Sequence, residues 1–152
     1  LLAQLFDGQE LTPLPDEERF PPIYLELLDK RDKVLPCYTG ISRVWASVTP
    51  VLLPGYDDRS QHHGDQQKRL ARAEELACKA MAQAGIETSA RVELSRVPFW
   101  AGSLHARDYC PRDKLSHYPR YHVRLSFNHQ ITGPLAIGAG RHAGFGVLAV
   151  AE

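Results

Sequence analysis

The chain has 152 residues, 43% of them hydrophobic and 24% charged, enough for one globular domain with a buried core. Its 11 Pro and 11 Gly exclude a coiled coil, and no run approaches the ~20 apolar residues that a spanning helix needs. Lys/Arg and Asp/Glu balance at 18 each, so net charge alone argues against a nucleic-acid partner.

Residues 1–22 carry Pro13, Pro15, Pro21, Pro22 and an acidic cluster, Asp16-Glu17-Glu18. They read as a linker or as the remnant of a preceding domain. The opening Leu1-Leu2-Ala3-Gln4 lacks a Met and the basic start of a signal peptide, as expected for a piece cut from a longer chain. Ile23 to Tyr38 suits a hairpin turning at Asp29–Lys33, or equally an irregular surface segment.

From Val44 the pattern sharpens. Val44 to Leu53 is β-branched and aromatic and stops at Pro54-Gly55, which predicts a largely buried strand with Pro50 at an edge or bulge. A polar loop with His62 and His63 follows. Gln66 to Ala84 repeats Leu70, Ala73, Ala77, Ala80, Met81 and Ala84 at three and four residues, the spacing of an amphipathic helix. Asp65 can cap it, Glu75 can pair with Lys79, and Gly85 supplies the left-handed stop.

Ser89 to Val97 reads as a second strand ending at Pro98, and Phe99 to Pro119 as a long loop. Arg120 to Phe127 alternates strictly: Tyr121, Val123, Leu125 and Phe127 on one face, Arg120, His122, Arg124 and Ser126 on the other. That pattern predicts a half-buried strand with a basic outer face. A short apolar stretch at Pro134–Ile137, read as a brief helix, a glycine-rich loop and a final strand from Phe145 to Val150 complete the chain. Strand, helix, strand, strand, short helix, strand is the split βαβ order of an α+β ferredoxin-like (RRM-like) fold, an antiparallel sheet with helices on one face. The domain is expected at 44–152, with 1–43 as the linker or remnant.

The charge balance is local. Residues 1–90 hold ten basic and fourteen acidic side chains; residues 91–152 hold eight and four, with five of the seven His. A basic second part can offer a phosphate-binding face. Cys37, Cys78 and Cys110 are far apart, so neither a disulfide framework nor a Cys-x-x-Cys knuckle is available, which favours a reducing, cytoplasmic setting. His62, His63 and the scattered Asp and Cys lack the spacing of metal ligands. No metal and no cofactor is expected.

Gly133-Pro134-Leu135-Ala136-Ile137-Gly138-Ala139-Gly140-Arg141-His142-Ala143-Gly144-Phe145-Gly146 is the most informative segment. Its glycines let backbone N–H groups approach a phosphate, and Arg141 and His142 add donors; a tight turn needed only for chain reversal explains them equally well. The spacing does not make a dinucleotide fingerprint, and no Gly-Lys-Ser/Thr is present. This segment resembles the C-terminal glycine-rich loop of the CRISPR-associated RAMP superfamily. Taken in order with Trp45–Leu53 and Arg120–Leu125, it is similar to the C-terminal part of the fused backbone-and-processing subunit of type I-G (formerly I-U) Cascade, over about residues 44–150.

The resemblance implies an RNA-binding domain of a metal-independent endoribonuclease that processes CRISPR repeat RNA in antiviral defence. Its partners would be the repeat or guide RNA and other Cascade subunits, with no membrane. Such cleavage activates a ribose 2′-OH and leaves a 2′,3′-cyclic phosphate and a 5′-OH. It requires a general base, a donor for the leaving oxygen and a cation for the extra phosphate charge. The long loop supplies these types: His117 as base, Lys114 and Tyr118 beside it. His63, with His62, is the other candidate, or a merely solvated pair. Arg120, Arg124 and Arg141 suit phosphate as planar bidentate donors, or serve as surface charges. Gly138, Gly140, His142 and Gly144 complete the expected RNA-binding set. His122 fits either RNA contact or solvation. Phe99 and Trp100 can stack on a base, with core packing the stronger reading. A non-cleaving subunit that holds the repeat-derived end of the guide RNA, and a protein–protein module, remain as alternatives.

Overall fold

The computed structural model describes residues 10–11, 23–24, 33–55 and 66–151. The chain divides into two compact units, Leu1–Val34 and Leu35–Glu152. In the first, β1 (Glu10–Leu11) pairs antiparallel with β2 (Ile23–Tyr24). Of the segment Ile23–Tyr38, expected as a hairpin or an irregular stretch, 25–32 lie outside the described residues; Ile23–Tyr24 takes an upstream partner, and where a strand would be needed Leu35–Thr39 is a short helix, α1. Pro36 fits its first turn, where an amide would have no intrahelical partner anyway, and Thr39 Oγ1 donates to Leu35 O at 3.0 Å.

The second unit carries a six-stranded antiparallel sheet: β3 (Ile41–Ser47), β4 (Val51–Leu52), β5 (Ala90–Ser95), β6 (Arg120–Thr132), β7 (Leu135–Ala136) and β8 (Val147–Val150). β6 lies between β5 on one edge and β3 and β4 on the other, β8 follows β3, and β7 closes the far side. The strand predicted over Val44–Leu53 thus begins earlier and is interrupted. Ala46 pairs with Arg124 and Val51 with Tyr121, so β3 and β4 follow one direction along β6 with two extra residues between them. Pro50 sits in that break, where its missing N–H costs no ladder bond.

One helix, α2 (Gln66–Gln83), backs the sheet. Its buried stripe is Ala73, Leu76, Ala77, Ala80 and Met81; small side chains bring the helix axis close to Trp45, Val123 and Leu125, all fully buried. Burial of Leu76 alone is worth about 2 kcal/mol. Leu70, expected in the stripe, is exposed because it lies a turn beyond the sheet contact. Glu75 pairs with Arg72 at 2.7 Å, and Gly85 (φ +79°) ends the helix with Ile86 N–H donating to Met81 O. Asp65, the expected cap, lies outside the described residues. The order of β3, α2, β5, β6 and β8 and their antiparallel neighbours are those of a ferredoxin-like fold.

The second helix is not built at Pro134–Ile137. Leu135–Ala136 pairs with β8 instead, Ile137 is fully buried, and the helical turn comes later as a 3-10 turn at Arg141–Ala143. Apolar residues bounded by glycines fit an extended edge segment better than a helix too short to propagate.

Candidate nucleic-acid interface

The predicted basic outer face of β6 is present in register but not open along its whole length. The loop 99–118 folds back over it. Trp100 Nε1 donates to Ala46 O at 3.1 Å, Ala106 N–H donates to Arg96 O at 3.0 Å, and an Arg120 Nη1 donates to Tyr109 O. His122 is fully buried beneath this loop, its Nε2 3.0 Å from Leu104 O and its Nδ1 3.4 Å from Ser47 O. Leu104 O can only accept, so the shorter contact is an Nε2–H donation to it. His122 therefore pins the loop to the sheet and has no surface to offer RNA, contrary to the expectation. Alternation revealed which side chains share a face; it held no information about what covers that face.

The glycine-rich loop meets the same region. Tyr109 places its ring 6.3 Å from His122 on one side and 6.3 Å from Phe145 on the other. Two segments far apart in sequence, 99–118 and 133–146, are joined here. Within the second, most glycines answer to packing. A Cβ on Gly138 (φ +95°) would lie 2.6 Å from Leu52 O, and one on Gly140 2.7 Å from Leu52 Cδ1. Several amides of this loop are engaged internally: Ala139 donates to Leu52 O, Ala143 and Phe145 to Gly140 O, and Gly146 to Pro50 O. Arg141 is half-buried and donates to Gly138 O at 3.2 Å. His142 and Gly144 stay exposed at the tip. The turn reading of the glycines thus describes Gly138 and Gly140, while the tip retains the open donors.

Lys114, His117 and Tyr118 occupy one short stretch of the long loop. Lys114 lies in a 3-10 turn (Asp113–Leu115), His117 is exposed, and its ring stacks on Tyr118 with centroids 4.2 Å apart. Tyr118 N–H donates to Leu115 O at 3.3 Å, so the turn holds the three residue types together. His62 and His63 lie outside the described residues. Among the described residues, no group of three or more His, Cys, Asp or Glu could hold a metal ion. The three cysteines are outside any disulfide and exposed.

Two basic residues carried no sequence signal. Arg96, at the end of β5, lies 4.1 Å over the Tyr121 ring and donates to its hydroxyl at 3.1 Å. With Gln66, Arg69 and Ser95 it lines a cleft of about 550 Å³ at the start of α2. Strand-end arginines follow no motif, so only the fold could bring Arg96 and Arg69 to one opening.

A model of a family described as "CRISPR-associated protein, GSU0054 family" matches residues 11–150. The chain belongs to this family. Its place in CRISPR defence follows, and with it work alongside other CRISPR-associated components. No curated protein and no solved structure matches the chain. In this CRISPR-associated chain no helix among the described residues is long and apolar enough to cross a membrane.

Proposed function

We propose that this chain is the repeat-RNA-handling domain of a RAMP-type processing subunit, corresponding to the C-terminal part of a type I-G Cascade backbone-and-processing protein. The observation that carries the reading is the meeting of the glycine-rich loop with the long loop at Tyr109, on a ferredoxin-like sheet in a CRISPR-associated chain. The first presents the half-buried Arg141 guanidinium and the exposed His142 and Gly144 at its tip, and the second carries Lys114, His117 and Tyr118.

The chemistry assigned to that stretch is transesterification. His117 removes the proton of the ribose 2′-OH, whose oxygen attacks the adjacent phosphorus. The P–O5′ bond breaks, the 5′ oxygen takes a proton from Tyr118, and a 2′,3′-cyclic phosphate remains. Lys114 offsets the added negative charge on the phosphorane oxygens. His63, which precedes α2 in the sequence, stays the alternative base.

In a second reading the domain holds the guide RNA without cutting it, since contacts at the exposed His142 and Gly144 need no general base. The full-length protein incubated with end-labelled repeat RNA in EDTA separates the two. Cleavage to a cyclic phosphate supports the enzyme, and tight binding without cleavage supports the holding role. Absence of salt-dependent RNA affinity leaves only a protein–protein module.

A further inference from the structure

The sheet face turned away from α2 is crossed by two side-chain rows fixed by strand register. Arg91, Ser126 and Val44 stand side by side in one; Glu93, Arg124, Ala46 and Ala149 in the next. Ala46 and Ala149 leave the sheet floor open on one side of the Arg124 side chain, and Glu93 stands beside it on the other. On one side, Arg124 joins Ala46, Phe99, Trp100, Cys37 and Val150 around a cleft of about 350 Å³, in which it is the single charged lining residue among the described residues. On the other, it joins Arg91, Glu93, Ser126 and Val44 around a cleft of about 250 Å³.

Arg124 differs from Arg96, Arg120 and Arg141, each of which donates to a protein oxygen. The Arg124 guanidinium instead lies 5.2 Å over the Phe99 ring, and its Nε is buried without a hydrogen-bond partner. A half-buried cation with an unsatisfied donor is costly unless an anion or acceptor completes it. The two clefts that meet at this cation differ in kind, one flat-walled and apolar, the other polar with a second arginine.

We propose that this face seats one unpaired nucleotide of an RNA single strand. Its base occupies the apolar cleft beside Phe99 and Trp100, and the adjoining phosphate lies against Arg124 and Arg91. Aromatic rings and guanidinium planes are the platforms on which single strands stack, and a base already stacked and paired in a duplex cannot enter such a slot. The proposal rests on the reading of the chain as RNA-handling and adds a site and a strandedness to it. It shares no residue with the glycine-rich loop or with the stretch 114–118.

Cys37 provides the test, because it lines the apolar cleft, whereas Cys78 is exposed on α2 across the sheet. Alkylation of the full chain is followed by mass spectrometry without RNA, with a mixed-sequence single-stranded RNA, and with a blunt RNA duplex. The expected result is Cys37 alkylated at least ~5-fold more slowly with the single strand, Cys78 unchanged, and no protection of Cys37 by the duplex. Arg124→Ala should weaken single-strand binding about tenfold and lower the salt slope by about one. If wild type binds RNA but Cys37 keeps its rate and Arg124→Ala binds normally, the site is overturned and the RNA-handling reading stands. Equal protection of Cys37 and Cys78, or protection by the duplex, also overturns it. A wild-type chain with no RNA affinity overturns the broader reading instead.

Discussion

Replacement of His122 separates a structural role from a contact role. Its side chain is fully buried, and its Nε2–H···O=C bond to Leu104 ties the long loop to β6. His122→Ala removes that bond, worth about 1 kcal/mol net, and empties a ring-sized volume whose cost in cores is roughly 2–3 kcal/mol. The Leu35–Glu152 unit has about 120 residues, so at ~2.1 cal/mol/K per residue its unfolding entropy at the midpoint is about 0.25 kcal/mol/K. A loss of about 3 kcal/mol then lowers Tm by roughly 12 °C. His122→Leu keeps most of the volume and forfeits the hydrogen bond, so its loss should be nearer 1–2 kcal/mol. Urea titration of both variants gives the energies, and amide hydrogen exchange over 99–118 reports the loop, which should exchange faster in each. RNA affinity below the new melting temperature should change less than ~2-fold, as for a residue without ligand contact. Stability within ~0.5 kcal/mol of wild type together with a ~10-fold loss of RNA affinity would refute the burial reasoning.

In the glycine-rich loop, Gly146→Ala should destabilise severely, because its Cβ would lie 2.0 Å from Ile137 O at φ +66°. Gly144→Ala, at φ +80° in open space, should cost only about 1 kcal/mol, which thermal denaturation of the pair checks. Ser47→Ala should cost about 1–3 kcal/mol by urea unfolding, since the buried Ser47 Oγ accepts the Val123 N–H at 2.9 Å and nothing replaces it. Arg141→Ala should weaken RNA binding and reduce its salt slope by about one in filter-binding titrations. His117→Ala should bind repeat RNA normally and cleave it at least ~100-fold more slowly in single-turnover assays; cleavage at the wild-type rate removes His117 as the base.

Periodicity and punctuation were sufficient for α2 and for the inner face of β6. An Ala-rich repeat at helical spacing closed by Gly85, and Tyr121-x-Val123-x-Leu125-x-Phe127, have one low-energy way to bury their apolar side chains. The same local logic failed at Pro134–Ile137, where β8 offered Leu135 and Ala136 a strand edge that no local pattern reveals. Nor did it reveal that Gly140 is packed so closely against Leu52 and Phe145 that a Cβ there would lie 2.7 Å from Leu52 Cδ1.

By itself, then, the order of residues determined the strand, helix, strand, strand and final strand of the ferredoxin-like frame, though not its second helix, and singled out 133–146 as the most informative segment. Tertiary structure alone decided which polar residues reach solvent. His122 and Arg124 are two positions apart on one strand face, yet one is sealed beneath Leu104 and the other stands between two open clefts. Alternation assigns a side chain to a face through bonds between neighbours in sequence; whether that face is covered depends on where a loop of some twenty residues returns, and that is settled by hydrogen bonds such as Trp100 to Ala46 and Arg120 to Tyr109.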